Sequence, residues 1–222
     1  METQHQGWTN QLKKILRQPK PAAKAHVLAA PDDRIEGLIS RKWPTDAKQS
    51  AVTFLIFPHQ GKLSTLLMER VVYNGVHSGQ ISLPGGQKDA DDSNLLATAI
   101  REFVEETGIQ LQASNYLGEL SDLYIPPSHF LVQPYVAFLD ELPPLQPDVR
   151  EVQELHIVSL EELFHPDNFK QEEVLVRQRK DHQYTIKAPC YCIKELYIWG
   201  ATAMMISELH WIFKENTFIL PQ

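Results

Sequence analysis

The sequence predicts an α+β fold in which a mixed β-sheet lies between helices. Two observations point there. Short strand-like runs of β-branched, Leu and Phe residues recur along the chain, and helices of 3.6-residue periodicity are interspersed among them. At 222 residues, 43% apolar and 22% charged, the chain has the mix of a packed globular protein rather than a disordered or fibrous one.

From the N-terminus, Trp8, Leu12, Ile15 and Leu16 fall at helical spacing within Thr3 to Gln18, and Pro19 and Pro21 stop that helix. The chain to Lys48 reads as an extended arm, which sets residues 1–48 apart from a main domain at 49–216 and a tail at 217–222. Ala51 to Phe57 and Leu63 to Arg70 read as a β-hairpin closed by His59-Gln60-Gly61-Lys62. Val71 to Gly86 reads as a loop with a short strand near Gln80 to Leu83. Leu95 to Thr107 is a strongly periodic helix that Gly108 ends in a left-handed cap. Strands follow around Tyr116 to Leu123 and Phe130 to Phe138, then a loop from Asp140 to Val149 that carries Pro143, Pro144 and Pro147. A short helix at Leu160 to Phe164, strands at Glu173 to Val176 and Tyr184 to Ala188, and a last helix from Ala201 to Lys214 complete the reading.

Charge and composition remove several function classes. With 28 acidic against 21 basic residues the formal charge is −7, which argues against nucleic acid as a partner, because phosphate binding by a surface needs clustered Lys and Arg. The longest mostly apolar run, Ala51 to Phe57, is too short to span a bilayer, and the first twenty residues carry no apolar secretion signal. A protein of the cytoplasm with no membrane contact is expected. Cys190 and Cys192, two apart in a strand, point to one face and are too close for an unstrained bridge, so both are expected as reduced thiols.

The chemistry concentrates on the helix at Leu95 to Thr107. At about 100° per residue, Glu102, Glu105 and Glu106 fall at roughly 0°, 300° and 40°, one compact face. Ala99, Phe103, Leu96, Ile100 and Val104 lie opposite and pack. Arg101, four residues before Glu105, can brace that carboxylate. An acidic helix face is commonly only a solvated face. Here it follows Leu83-Pro84-Gly85-Gly86, whose two glycines let a backbone approach a ligand closely. Three carboxylates in one turn repel one another unless cations neutralise them, and hard ions such as Mg²⁺ take oxygen ligands while keeping positions for water and phosphate. No Cys/His cluster with zinc spacing competes. A metal so held polarises a phosphoryl group and activates water.

Gly86, Asp92 and then Arg101-Glu102-Phe103-Val104-Glu105-Glu106-Thr107-Gly108-Ile109 resemble the box that defines the Nudix hydrolases, R-E-U-x-E-E-x-G-U after a glycine and a spaced acid. Asp92 stands where the common pattern has Glu, and the gap to Arg101 is one residue longer than usual. The coenzyme A diphosphatase subfamily shares that longer spacing. Its L-L-x-x-R segment resembles Leu66-Leu67-Met68-Glu69-Arg70, and its G-x-x-x-F-P-G-G resembles Gly79-Gln80-Ile81-Ser82-Leu83-Pro84-Gly85-Gly86. Leu83 replaces the usual Phe and Gly75 a usual Arg, while Ile198-Trp199-Gly200-Ala201-Thr202-Ala203 is similar to a C-terminal segment of the subfamily.

The resemblance implies an α/β/α sandwich that hydrolyses a nucleotide diphosphate linkage, coenzyme A first among substrates, with Mg²⁺ or Mn²⁺. It implies Glu102, Glu105 and Glu106 as metal ligands, with the Gly86 carbonyl added, and Arg101 as the residue that orients the carboxylates. For a general base it leaves a box glutamate such as Glu105 or a later loop acid, Glu151 or Glu154; Glu151 is chosen. Arg70, with Gly85 and Gly86, is assigned to the diphosphate, Arg70 having an ordinary ion pair as its other reading. His77 and His129 stay unassigned, and Trp199 is either core or an adenine platform. Two rivals stay open: a diphosphatase for ADP-ribose, NADH or dinucleotides, favoured by Gly75, and an idle nucleotide-binding module. The arm has two open roles, covering the pocket or making a homodimer contact.

Overall fold

The structure, a computed structural model, describes residues 5–72, 77–179 and 182–216. Helix α1 (Gln6–Leu16) is followed by α2 (Ala23–His26) and α3 (Ile35–Ser40), then by strands β1 (Lys48–His59), β2 (Lys62–Arg70), β3 (Ile81–Ser82) and β4 (Gly85–Gln87). Helix α4 (Leu95–Thr107) leads to β5 (Tyr116–Glu119), β6 (Leu123–Ile125), β7 (Phe130–Phe138) and β8 (Val152–Ser159). Then come α5 (Leu160–Leu163), β9 (Phe169–Arg179), β10 (His182–Ile193), β11 (Leu196–Trp199) and α6 (Gly200–Glu215).

The expected architecture is observed, a mixed sheet with helices on its flanks. Strand β1 lies at its centre, antiparallel to β2 and β4 and parallel to β7. A central strand is covered on both faces, which is why Ala51 to Phe57 is an almost unbroken buried run instead of an alternating one. Its residues divide between two cores. Leu55 and Phe57 join Leu66, Ala99 and Phe103 beneath α4, while Val52, Phe54 and Ile56 join Leu12, Leu16, Met204 and Leu209 beneath α1 and α6. The hairpin closes at Gln60 and Gly61, both with positive φ, as a tight turn between two strands demands. Strands β9, β10 and β11 form a separate antiparallel sheet against α6.

One expectation needs correction, and one strand was not anticipated. The stretch to Lys48 is not extended: α2, α3 and two 3-10 turns fold it back, and Ala29, Ala30 and Leu38 are buried in the α6-side core. Apolar residues scattered over such short turns show no long period, so nothing in the pattern marked them. Residues 152–159 form β8, paired with β2, which alternation in Val-Gln-Glu-Leu-His did not reveal. The tail at 217–222 lies outside the described residues.

The folded-back segment is fastened by one buried carboxylate. Glu208 of α6 accepts hydrogen bonds from Ala22 N–H (3.2 Å), Ser121 N–H (2.9 Å) and Ser121 Oγ (2.6 Å), and faces His26 Nε2 at 3.2 Å. Burial alone raises the carboxyl's pKa, but His26 and Ser121 outweigh it and the net shift is downward. Glu208→Ala strands three donors inside the protein, so a loss of about 3–5 kcal/mol is expected in denaturant unfolding. A loss below about 1 kcal/mol would mean the network does not hold the segment.

Candidate active site

Helix α4 begins at Asn94, whose side chain accepts from Ala97 N–H at 2.9 Å, and ends at Gly108, in the left-handed region at φ 73°. A Cβ at Gly108 would lie 2.6 Å from Gln146 Cβ, so both conformation and space require glycine. These two caps fix the ends of the helix, and its apolar face, Ala99 and Phe103, packs with Leu55 and Phe57 of β1.

The meeting of α4 with β4 is close. Gly85 N–H donates to Glu106 Oε2 at 2.7 Å, and a Cβ on Gly86 would stand 2.4 Å from Glu102 Oε2. Gly85 has φ 149°, and a Cβ there would strike Ala51 O at 2.2 Å. No side chain fits either position without displacing backbone or a carboxylate. The Gly86 carbonyl accepts from Ser50 Oγ at 2.6 Å.

The three box glutamates occupy different environments. Glu106 is 1% exposed, Glu102 is half-buried and Glu105 is open to water, its side chain 58% exposed. Burial pushes Glu106 up to about 8 against the pull of Arg70 and Gly85 N–H, with the charges of Glu102 and Glu151 adding to the rise. Glu102 is raised too, chiefly by burial. Arg101 donates to Asp92 at 2.9 and 3.1 Å, to Glu102 at 2.8 Å, to Glu105 at 3.2 Å and to the Gln87 carbonyl at 3.0 Å. Its fork holds Asp92 far below the usual carboxylate range. The spaced acid therefore anchors the arginine that sets the rotamers of Glu102 and Glu105.

Arg70 Nη1 stands 3.6 Å from Glu106 Oε1. Glu106 Oε1 is buried with no hydrogen-bond partner among the described residues. An orphaned buried carboxylate oxygen is the kind of donor that a hard divalent cation satisfies. Among the described residues the group of three whose ligand atoms all lie within 4.8 Å of one another is Glu69, Glu154 and His156; Glu102, Glu105 and Glu106 are not drawn together so closely. Glu69 and Glu154 are partners across β2 and β8, and Glu69 shares the sheet face of Leu67, turned from α4. The structure thus separates the two later acids: Glu154 joins this group, while Glu151, held next to β2 by the Val71 N–H bond to its carbonyl at 3.1 Å, acts electrostatically on Glu102 and Glu106.

A cleft of about 420 Å³ reaches the glycine bend from the other side. Arg70, Gly85 and Gly86 line it, whereas Glu102, Glu105 and Glu106 do not. Part of its wall comes from places that sequence reasoning left out: Arg34 of the N-terminal segment, Val176 and Ile186 of the small sheet, and Met204 and Met205 of α6. They share no motif, and only the folding-back of both chain ends brings them together. Trp199, read as core or platform, lines the cleft half-buried. His77 lines it as well, its Nδ1 2.9 Å from Gln80 Oε1 and its pKa lowered by burial. His129 instead pairs with Tyr124 Oη at 2.7 Å. Gly75 lies outside the described residues.

Residues 47–179, more than half of the chain, match the model of the NUDIX domain. The chain belongs to the Nudix family. A Nudix-type nucleotide pyrophosphohydrolase activity goes with that membership. Among similar proteins, the uncharacterized Nudix hydrolase NudL of Photorhabdus laumondii is 30% identical over 165 residues, covering 74% of this chain and 85% of the relative. The mouse mitochondrial coenzyme A diphosphatase NUDT8 is 34% identical over 149 residues, covering 66% and 67%. A MutT/nudix family protein from Enterococcus faecalis superimposes with a TM-score of 0.52 at 16% identity, over 86% of this chain and 73% of that one, a likeness of fold. No helix among the described residues of this Nudix chain is long and apolar enough to cross a membrane.

The raised Glu106 carboxyl gives a signed pH dependence. The native state holds this proton up to about pH 8 and the unfolded chain releases it near 4.5, so Glu106 makes the metal-free protein less stable as pH rises through that window. A cation that needs the carboxylate offsets the loss. The increase in Tm produced by Mg²⁺ is expected to grow from about pH 6 to about pH 9 in thermal scans. An increase that shrinks over that range would contradict a Glu106 ligand.

Proposed function

We propose that this Nudix hydrolase cleaves the diphosphate of coenzyme A to 3′,5′-ADP and 4′-phosphopantetheine, by in-line attack of water on one phosphorus. The observation that carries the reading is the contact of Glu102 and Glu106 with the Gly85–Gly86 bend, at the point where a cleft bearing Arg70 arrives. Glu102, Glu105 and Glu106 are assigned to Mg²⁺ or Mn²⁺, with the Gly86 carbonyl as an added oxygen. When bound, such an ion supplies Lewis-acid polarisation of the phosphoryl group and a water of lowered pKa.

The chain's own groups have separable tasks. Gly85 N–H fixes the rotamer of Glu106, and Arg101, anchored on Asp92, orients Glu102 and Glu105. Arg70 offers a planar fork to a diphosphate oxygen at the cleft's end. Glu151 is assigned the proton of the attacking water, supported by its influence on Glu102 and Glu106; Glu105, exposed and bound to Arg101, is the alternative base. Coenzyme A is supported by the Leu66-to-Arg70 and Gly79-to-Gly86 segments and by the name of the mouse relative. The two free cysteines fit the reducing cytoplasm in which we place the protein.

A second reading, hydrolysis of ADP-ribose, NADH or a dinucleotide, is favoured by Gly75. Product analysis after incubation with each compound and Mg²⁺ or Mn²⁺ separates them: 3′,5′-ADP from coenzyme A at the highest kcat/KM is expected. Faster turnover of ADP-ribose or a dinucleotide overturns the substrate and keeps the reaction class. Glu106→Gln should lower kcat by about two or more orders of magnitude. An unchanged rate leaves the idle binding module as the better account.

A further inference from the structure

The cleft carries a second cation that the proposed chemistry does not use. Arg34 lines its wall from the N-terminal segment, outside the residues that match the family. Its Nη2 donates to the Tyr124 carbonyl at 2.7 Å, which holds the guanidinium over β6. Arg41, Arg70, Arg101 and Arg150 each face a carboxylate. Arg34 is different: among the described residues no carboxylate oxygen comes within 4.0 Å of it, its neighbour Asp33 included. It is nevertheless withdrawn from water far enough for burial to be the main influence on its pKa, a lowering one. Asp33, which also lines the cleft, acts on this half-buried guanidinium only through space and forms no ion pair with it, so in the wall of a ligand cleft a direct anionic partner is one that a ligand can bring.

Position narrows what that partner is. Strand β6 pairs with β7, β7 with β1, and β1 with β4, so Tyr124 stands three strand spacings from the Gly85–Gly86 bend. Three spacings are about 14 Å, and the Arg34 side chain shortens the gap. The cleft therefore has an arginine at the diphosphate end and another set well apart, with apolar wall from Phe130, Val132 and Met205 between strands and helix. A planar fork with free N–H groups suits a phosphate oxygen pair.

We infer that Arg34 is a specificity-determining residue that binds a phosphomonoester carried by the substrate apart from its diphosphate, so that the N-terminal segment completes the substrate cleft. This rests on the nucleotide diphosphate reading above and deepens it.

The test is isothermal titration of the full chain, at fixed Mg²⁺, with 3′,5′-ADP and with 5′-AMP, which differ by one phosphomonoester. Wild type is expected to bind 3′,5′-ADP at least about tenfold more tightly. Arg34→Gln keeps a donor for the Tyr124 carbonyl and removes the charge, and should abolish the preference; Arg34→Lys should retain part of it. Should Arg34→Gln fail to fold, Arg34→Met carries the same expectation. Equal affinities in wild type, or a preference that survives Arg34→Gln, overturns the inference. Coenzyme A hydrolysis measured alongside keeps the two proposals apart. Intact coenzyme A with a 3′,5′-ADP preference removes the substrate and keeps Arg34, whereas hydrolysis without the preference does the reverse.

Discussion

The site depends on a steric constraint: two successive residues without side chains let main chain and carboxylates meet at hydrogen-bond distance. Gly85 N–H could not reach Glu106 with a Cβ pressed against Ala51 O, and Glu102 fills the space that a Cβ on Gly86 would take. From this contact follows the burial of Glu106, and from burial its raised pKa and its orphaned Oε1. A buried carboxylate with an unfilled lone pair works against the stability of the metal-free fold. The surrounding core, with Phe103, Leu55 and Phe57 beneath α4, holds it in place regardless.

Charge is handled in two ways around this point. Arg101 gathers Asp92, Glu102 and Glu105 on one guanidinium, so that two of the box acids are oriented before any cation arrives. Glu106 is left to Arg70 at 3.6 Å, a distance that leaves both free to turn to other partners. On the far side of the molecule Glu208 shows the contrasting case of a buried acid whose hydrogen bonds are met from Ala22, Ser121 and His26. One acid has its hydrogen bonds met within the fold; the other keeps an oxygen without a partner among the described residues.

Much of this was legible in the sequence, for physical reasons that differ by element. Helix α4 announced itself through its period, its acidic face and Gly108, and its bounds agree with the structure residue for residue. The hairpin of β1 and β2 was readable because Gln60-Gly61 has the chemistry of a tight turn. The glycine bend was readable as a place of close approach, although which glycine met which glutamate was not. A short turn such as α2 is set by tertiary contact with α6, and a four-residue helix has no periodicity to detect. Arg34 was invisible for the same reason: its place in the cleft depends on how the N-terminal segment folds back, and no local pattern encodes that. The Glu69, Glu154 and His156 group depends on the register of β2 against β8, which is likewise a property of the assembled sheet.

The central claim is that the acids of α4, beside the glycine bend, are the ones that grip divalent ions. Titration of Mn²⁺ followed by the electron paramagnetic resonance of the free ion tests it most directly, comparing wild type with the Glu102→Gln/Glu106→Gln double variant and with Glu69→Gln. The account predicts that the double variant loses at least about tenfold in Mn²⁺ affinity while Glu69→Gln keeps the high-affinity ion. Undiminished Mn²⁺ binding in the double variant, with loss in Glu69→Gln, would contradict it and move the metal to the β2–β8 face.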